Sequence, residues 1–362
     1  MIEGKNIVVA IIFSERVVLM SILVCGGAGY IGSHTCVELL QAKYDIIVAD
    51  NLVNSHWEVL NRIEKITGKK VPFIRMNLCK EDEVNALFVQ YPEINAVIHF
   101  AGLKAVGESV TKPLEYYSNN LISTLNLLQA MRCHGVKNLI FSSSATVYGD
   151  PISVPIREDF PTNGSTNPYG TSKLFQERIL LDFCAADPTM NVASLRYFNP
   201  IGAHSSGLIG EDPGGIPNNL VPYIAKVAIG QLPRLCIYGD DYPTSDGTGV
   251  RDYIHVVDLA SGHVAALRKL EKGCGFFVCN LGTGRGYSVL EVLHTYEKIC
   301  GKKLPYIVCP RRPGDIAECY ADVTRAQDEL DWKAKFDLEE MCFSSWKWQS
   351  MNPNGYRIES EL

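Results

Sequence analysis

The sequence predicts an α/β fold: a doubly wound parallel sheet with a smaller mixed α/β domain beside it. Two observations carry the larger part. Short apolar runs alternate with longer amphipathic segments up to about residue 200, and a glycine-rich turn separates the first strand from the first helix. A third, the change to Gly/Pro/Asn-rich loops and mixed short strands beyond residue 200, carries the smaller part. With 362 residues, 46% of them hydrophobic and 20% charged, the chain can bury one large or two unequal cores.

Taken in order, Ser21-Ile22-Leu23-Val24-Cys25 reads as the first core strand. Ile46 to Asp50, Phe73 to Asn77, Ala96 to Ala101, Asn138 to Ser142 and Val192 to Phe198 follow as further strands. Helices are expected at Ile31 to Lys43, Pro113 to His134 and Asn167 to Ala186. Strand, helix, strand repeated in this way gives a parallel sheet, because each parallel connection must cross over. The loop Gly202 to Asn219 then leads to strands at Leu235 to Tyr238 and Phe276 to Asn280, and Ser288 with Glu291 forms a capping box that opens a helix through Cys300. The chain thus divides into an extension (1–20), a dinucleotide-type domain (21–200) and a second, mainly substrate-binding domain (201–362), with an interleaved, approximate boundary.

A net charge of -6 without a long Lys/Arg run argues against nucleic acid as a partner. The 12 cysteines stand singly, some in apolar runs (Cys25, Cys236, Cys279), with no CxxC pair; they read as reduced, buried thiols, and no metal site is expected. The apolar run Ile7 to Phe13 is too short to span a membrane and lacks a small-residue cleavage site. A cytosolic protein with no membrane partner is therefore expected, and the sequon Asn163-Gly164-Ser165 carries no weight there.

Gly26-Gly27-Ala28-Gly29-Tyr30-Ile31-Gly32 follows a strand and opens a helix. There glycines let the backbone approach a pyrophosphate at the positive helix end, the Rossmann-type arrangement. Its G-x-x-G-x-x-G spacing departs from G-x-G-x-x-G, but Asp50 ends the second strand where a carboxylate can bind an adenosine ribose. Tyr169 and Lys173 lie one helical turn apart on one face, downstream of Phe141-Ser142-Ser143-Ser144. A free tyrosine titrates near pH ~10, so Lys173 is expected to favour its phenolate.

These motifs, with HFAGLKAVGES, PLEYYSNN, RYFNPIGAH, GEDPGGIPNNLVPYI, DYPTSDGTGVRDYIHVVDLA and PRRPGD, resemble the extended short-chain dehydrogenase/reductase family from Ser21 almost to the C-terminus. Within it, the chain is similar to the nucleotide-sugar 4-epimerases. The resemblance implies an NAD-dependent isomerase that interconverts UDP-glucose and UDP-galactose through a 4-keto sugar, in galactose metabolism and the supply of glycosylation precursors. It makes Tyr169 the acid/base, Lys173 its electrostatic partner and a nicotinamide-ribose ligand, and Ser144 the hydroxyl on the sugar O4. Around NAD it places Gly26, Gly29, Tyr30, Ile31, Gly32, Asp50, Asn51, Asn54, Ser55, Asn77, Leu78, Phe100, Ala101, Gly102, Lys104, Asn119, Ser142, Tyr169, Lys173 and Tyr197. Around the UDP-hexose it places Lys104, Ser144, Tyr169, Phe198, Asn199, Asn218, Asn219, Leu220, Tyr238, Arg251, Tyr253, Arg312, Asp315 and Cys319.

Two departures are visible. Asn77 stands where many relatives carry Asp, and Thr171 where they often carry Lys. Bacterial relatives carry Tyr where this chain has Cys319, and a small residue there goes with acceptance of N-acetylated sugars, so UDP-GlcNAc and UDP-GalNAc are expected as substrates too. Related 4,6-dehydratases carry Asp-Glu where Ser144-Ala145-Thr146 stands, which argues against elimination. A homodimer is expected, with the helices Pro113 to His134 and Asn167 to Ala186 at its interface.

Overall fold

The computed structural model describes residues 21–357, except 163 and 313, so the extension 1–20 and the acceptor Asn163 of the sequon lie outside the described residues. The large sheet is built from β1 (Ser21–Cys25), β2 (Asp45–Asp50), β3 (Phe73–Arg75), β4 (Ile94–His99), β5 (Asn138–Ser142) and β6 (Asn191–Tyr197). The smaller lobe contributes β7 (Asn199–Ile201), β8 (Leu235–Tyr238), β9 (Val250–His255), β11 (Gly286–Ser288), β12 (Tyr306–Cys309) and β13 (Glu318–Cys319), while β10 (Phe276–Leu281) returns to the large sheet.

The large sheet has seven strands in the order β10-β6-β5-β4-β1-β2-β3, all parallel. All five residues of β1 are buried because helices cover both faces of the sheet. Its side chains alternate between two cores, Ile22 and Val24 in one, Leu23 and Cys25 in the other. The first core takes the helices Tyr30–Gln41 and Val256–Leu270, through residues such as Val37 and Leu267. The second takes Pro113–His134 and Pro168–Ala186, through Leu127, Met131 and Leu180.

Three boundaries differ from expectation, each for a hydrogen-bonding reason. β3 stops at Arg75, before Asn77, because as the sheet edge it pairs only with Val48, Ala49 and Asp50. β4 runs from Ile94 to His99, because Phe100 and Ala101 both donate to the Cys25 carbonyl, at 2.8 and 3.0 Å, and the chain turns there. Phe276–Leu281 pairs in parallel with β6 instead of staying with the short strands around it.

In the smaller lobe, β9 is the centre: β7 and β13 pair with it in parallel and β11 antiparallel, while β8 and β12 form a separate parallel pair. The Ser288/Glu291 capping box is formed, with bonds of 2.7 and 3.0 Å, and opens the helix Val289–Cys300. All 12 cysteines are free; Cys25 and Cys279 are buried and Cys236 half-buried. Among the described residues, no helix is long and apolar enough to cross a membrane, and no His/Cys/Asp/Glu group could hold a metal ion.

Candidate active site

The glycine turn joins β1 to the helix Tyr30–Gln41. Gly26 has φ 79°, and a Cβ there would stand 2.7 Å from the Ala101 nitrogen. A Cβ on Gly32 would run into the Gly26 carbonyl, so backbone approaches backbone at both positions. Gly29 is the helix N-cap, with extended backbone, no capping side chain and no acidic residue in the first turn. The helix therefore presents its positive end uncancelled.

Beside it, Asp50 accepts hydrogen bonds from the Ala28 nitrogen (3.1 Å), the Leu52 nitrogen (2.9 Å) and the Ser55 hydroxyl (2.9 Å). Ser55 is thereby a brace for the carboxylate, and the Asn51 side chain accepts from the Val53 nitrogen at 3.0 Å, while Asn54 is exposed. The Asn77 side-chain Oδ1 accepts from the Cys79 nitrogen at 3.0 Å, and Leu78 is buried beside it. Tyr30 points away from the turn: its hydroxyl donates to the Gly202 carbonyl at 2.7 Å, so it offers the site only its backbone. Phe100 packs on His263, ring centroids 4.8 Å apart.

The Gly102–Lys104 loop is held by Asn120, a buried residue the sequence reading passed over. Its side chain accepts from the Leu103 nitrogen (2.8 Å) and from Asn119 (3.0 Å), and donates to the Leu103 carbonyl (3.1 Å) and Ser172 (2.9 Å). Its partners Leu103 and Ser172 lie 17 and 52 positions away, so nothing near it in the sequence signals it.

The helix Pro168–Ala186 starts where it does because the Asn167 side chain accepts from the Gly170 nitrogen (2.9 Å) and Pro168 takes the first turn. That start aims Tyr169 and Lys173 at the end of β5, and both are buried. The Lys173 ammonium donates to the Ser142 carbonyl at 2.8 Å and lies 4.7 Å from the Phe141 ring centroid. The Ser142 hydroxyl reaches the Tyr197 phenol at 3.1 Å. Ser144 caps the short 3₁₀ turn Ala145–Tyr148, accepting from the Thr146 nitrogen (3.2 Å) and hydroxyl (3.0 Å). Thr171 bonds its own helix, donating to the Asn167 carbonyl at 3.1 Å, away from this group.

The smaller lobe supplies the other wall. Cys319 is the register partner of Arg251, and it packs half-buried against a cluster containing Phe198, Val147 and Ala321. Asn199 is exposed and pairs in register with the buried Tyr253. The Tyr253 phenol is pushed up to about 12 by burial, while Arg251 and Arg312 both pull it down, which places two guanidinium groups near one side chain. Arg312 pairs with Asp315 at 2.8 Å and lies over the Tyr238 ring at 4.8 Å. Lys104 and Asn219 meet on Glu211, at 3.7 and 3.1 Å, an acid the sequence reading did not name. Asn218 is exposed next to it, and Leu220 begins the helix Leu220–Ala228.

With this geometry, the chain matches known proteins throughout. Residues 22–282 match the NAD dependent epimerase/dehydratase family. The UDP-glucose 4-epimerase of Bacillus subtilis is 61% identical over 93% of this chain and 99% of its own length. The crystal structure of UDP-glucose 4-epimerase from Bifidobacterium longum in complex with NAD+ and UDP is 59% identical, with a TM-score of 0.90 over 93% of this chain and 100% of that one. That of the UDP-Glc/GlcNAc 4-epimerase from Campylobacter jejuni is 37% identical, with a TM-score of 0.80 over 92% and 99%.

The chain belongs to the NAD dependent epimerase/dehydratase family.

With UDP-glucose 4-epimerases 57–61% identical over more than nine-tenths of its length it is an isomerase, and as a member of that family it has NAD as its cofactor. The residues present fit the dinucleotide: an uncapped helix end, a turn in which glycines open the backbone, and a carboxylate braced at the end of β2. The electrostatics of this epimerase differ from expectation. Burial, with Tyr197 and Tyr116 adding to it, pushes the Tyr169 phenol well above its ordinary value; the Ser144 hydroxyl works the other way. Lys173 is itself pushed down to about 8 by burial, with Glu177 opposing. In the protein alone, desolvation dominates, Lys173 not being among the influences on the phenol, and Tyr169 holds its proton.

Proposed function

We propose that this epimerase inverts C4 of UDP-hexoses, interconverting UDP-glucose with UDP-galactose and UDP-GlcNAc with UDP-GalNAc. The observation that carries it is the convergence of Tyr169, Lys173 and Ser144 at the end of β5. The glycine turn, Asp50 and Lys173 would hold NAD, which would supply a reversible hydride acceptor for C4. As the phenolate, which the positive charge of bound NAD+ would favour over the phenol held in the protein alone, Tyr169 takes the O4 proton as the carbonyl forms and returns it as the carbonyl is reduced. Ser144 accepts two bonds from Thr146 and keeps its own proton for the sugar O4. Arg251 and Arg312 suit the diphosphate, because a guanidinium fork bonds oxygens in pairs. Asn199 and Asn219 suit sugar or uracil edges, because an amide both donates and accepts. With the UDP so anchored, the 4-keto sugar turns in the pocket and is reduced on its other face.

Cys319 supports the wider substrate range: half-buried against the cluster that holds Phe198, it is a smaller side chain than a tyrosine would be there. The exposed apolar residues Leu114, Ile122 and Leu125 on one helix, and Phe175 and Leu181 on its neighbour, support a homodimer through these helices. The composition and the described helices support a cytosolic protein. The test is product analysis of UDP-galactose and UDP-GalNAc turnover without added reductant. The wild type should convert both, Tyr169→Phe should lose about a hundredfold or more on each, and Cys319→Tyr should lose the N-acetyl pair alone. A Cys319→Tyr enzyme that keeps both would remove the pocket argument; a wild type inactive on both would remove the epimerase reading.

A further inference from the structure

Beneath these side chains lies a buried ion pair that the reaction as described does not use. Glu177 stands one turn after Lys173 on the same helix and pairs with Arg196 of β6 at 2.7 Å, the two side chains 6% and 7% exposed. Its Oε1 also accepts from the Ser143 hydroxyl (2.6 Å) and the Ser194 hydroxyl (2.9 Å). Arg196 goes on to the Tyr148 hydroxyl at 3.0 Å and the Glu158 carbonyl at 3.1 Å.

Such a pair is a poor device for stability alone, since apolar replacements of equal volume are often no worse. Its placement is what singles it out. Ser143 sits between Ser142, whose carbonyl holds the Lys173 ammonium, and Ser144, the hydroxyl assigned to the sugar. Glu177 therefore grips the middle of the segment whose two ends act.

We propose that Glu177 is a positioning residue for epimerisation, fixing the Ser142–Ser144 segment through Ser143 and keeping Lys173 cationic from one turn away. The proposal rests on the epimerase reading above. The charged and titratable groups around Lys173 are Glu177 on its own helix and His99 on β4, with Arg196 of β6 behind Glu177, Tyr197 of β6 on the Ser142 hydroxyl, and Tyr169 one turn earlier on the helix with Tyr116 beyond it. His99 is neutral, pushed down to about 3 by burial and by Lys173 itself. Of these groups Glu177 alone is acidic, and the Lys173 ammonium feels it as the one influence opposing burial.

The experiment is the pH dependence of kcat and KM for UDP-galactose with the NAD-loaded enzyme, its fold checked by circular dichroism. Glu177→Gln should leave KM within about twofold, lower kcat about tenfold and move the alkaline limb of kcat down by about one pH unit, the effect of one charge a helical turn away. Glu177→Asp, which keeps the charge, should return the limb towards the wild-type position. A folded Glu177→Gln with the wild-type limb overturns the proposal. Should Glu177→Gln not fold, Ser143→Ala decides: a several-fold loss in kcat at unchanged KM supports the grip on the segment, and wild-type kcat overturns it. An active wild type with indifferent variants sinks this proposal alone, whereas an inactive wild type sinks the epimerase reading and takes the proposal with it.

Discussion

Gly26 and Gly68 both have left-handed backbone, with φ of 79° and 68°, but only one of them is crowded. A Cβ on Gly68 would meet nothing within 4 Å. On Gly26 it would stand 2.7 Å from the Ala101 nitrogen, 3.0 Å from the Ala101 Cα and 3.1 Å from the Phe100 carbonyl carbon. Alanine at either site bears the left-handed strain of about 1–2 kcal/mol. At Gly26 the obstacle is the backbone at the end of β4, which cannot swing aside as a side chain could, so overpacking adds about 1–3 kcal/mol. Gly68→Ala should therefore cost about 1–2 kcal/mol and Gly26→Ala about 2–5 kcal/mol. For a chain of this size, about 2 °C per kcal/mol separates the two melting curves, roughly 2–4 °C against 4–10 °C below wild type. Calorimetry on both variants, with the NAD content of each denatured sample, is the assay. Gly26→Ala should also lose bound NAD, while Gly68→Ala keeps it. Equal melting depressions would refute the close approach of the turn to β4.

Three further expectations concern the buried polar groups and the surface. Lys173 is a base whose folded value lies below its unfolded one, so the folded state binds fewer protons between about 8 and 10.5 and gains stability as pH rises through that window. Lys173→Met should thus be inactive yet about 3 kcal/mol more stable than NAD-free wild type at pH 7, with the gap closing towards pH 10.5 in denaturation curves; a constant gap speaks against the buried cation. Asn120→Ala, which leaves the Leu103 backbone groups without their side-chain partners, should lower stability by about 2–3 kcal/mol and weaken NAD retention, measured by calorimetric titration. Leu125→Glu with Phe175→Glu should turn the proposed homodimer into a monomer in sedimentation, since both side chains stand exposed on the helix pair; a double variant with the mass of the wild type would overturn that interface.

The parts of this fold written in short-range patterns are legible in the sequence. The glycines of the turn, the capping box at Ser288 and Glu291, and the one-turn spacing of Tyr169 and Lys173 depend on neighbours within a few residues, and the structure carries each. Strand ends are less legible, because they are fixed by the partner: β3 is cut short by its place at the edge. Least legible are groups assembled across the chain. Glu177 meets Arg196 and Ser143 only once β5, β6 and their helix are in place, and Glu211 joins Lys104 to Asn219 only when the lobes meet. The same holds for the balance at Tyr169, since a spacing reveals which charge is near but not how much water has been removed.

After β6 the chain leaves the large sheet, lays down β7 to β9, comes back to set β10 along β6, and departs again for β11 to β13. The two lobes are thus stitched together by repeated crossings, with no single strap on which one could swing as on a hinge. A fragment ending near residue 200 would leave the outer edge of β6 bare, its amides and carbonyls open to any passing strand. Under the proposed reaction, in which the sugar turns over between two half-reactions, the seam places the demand on slack within the walls and not on a swing of one lobe.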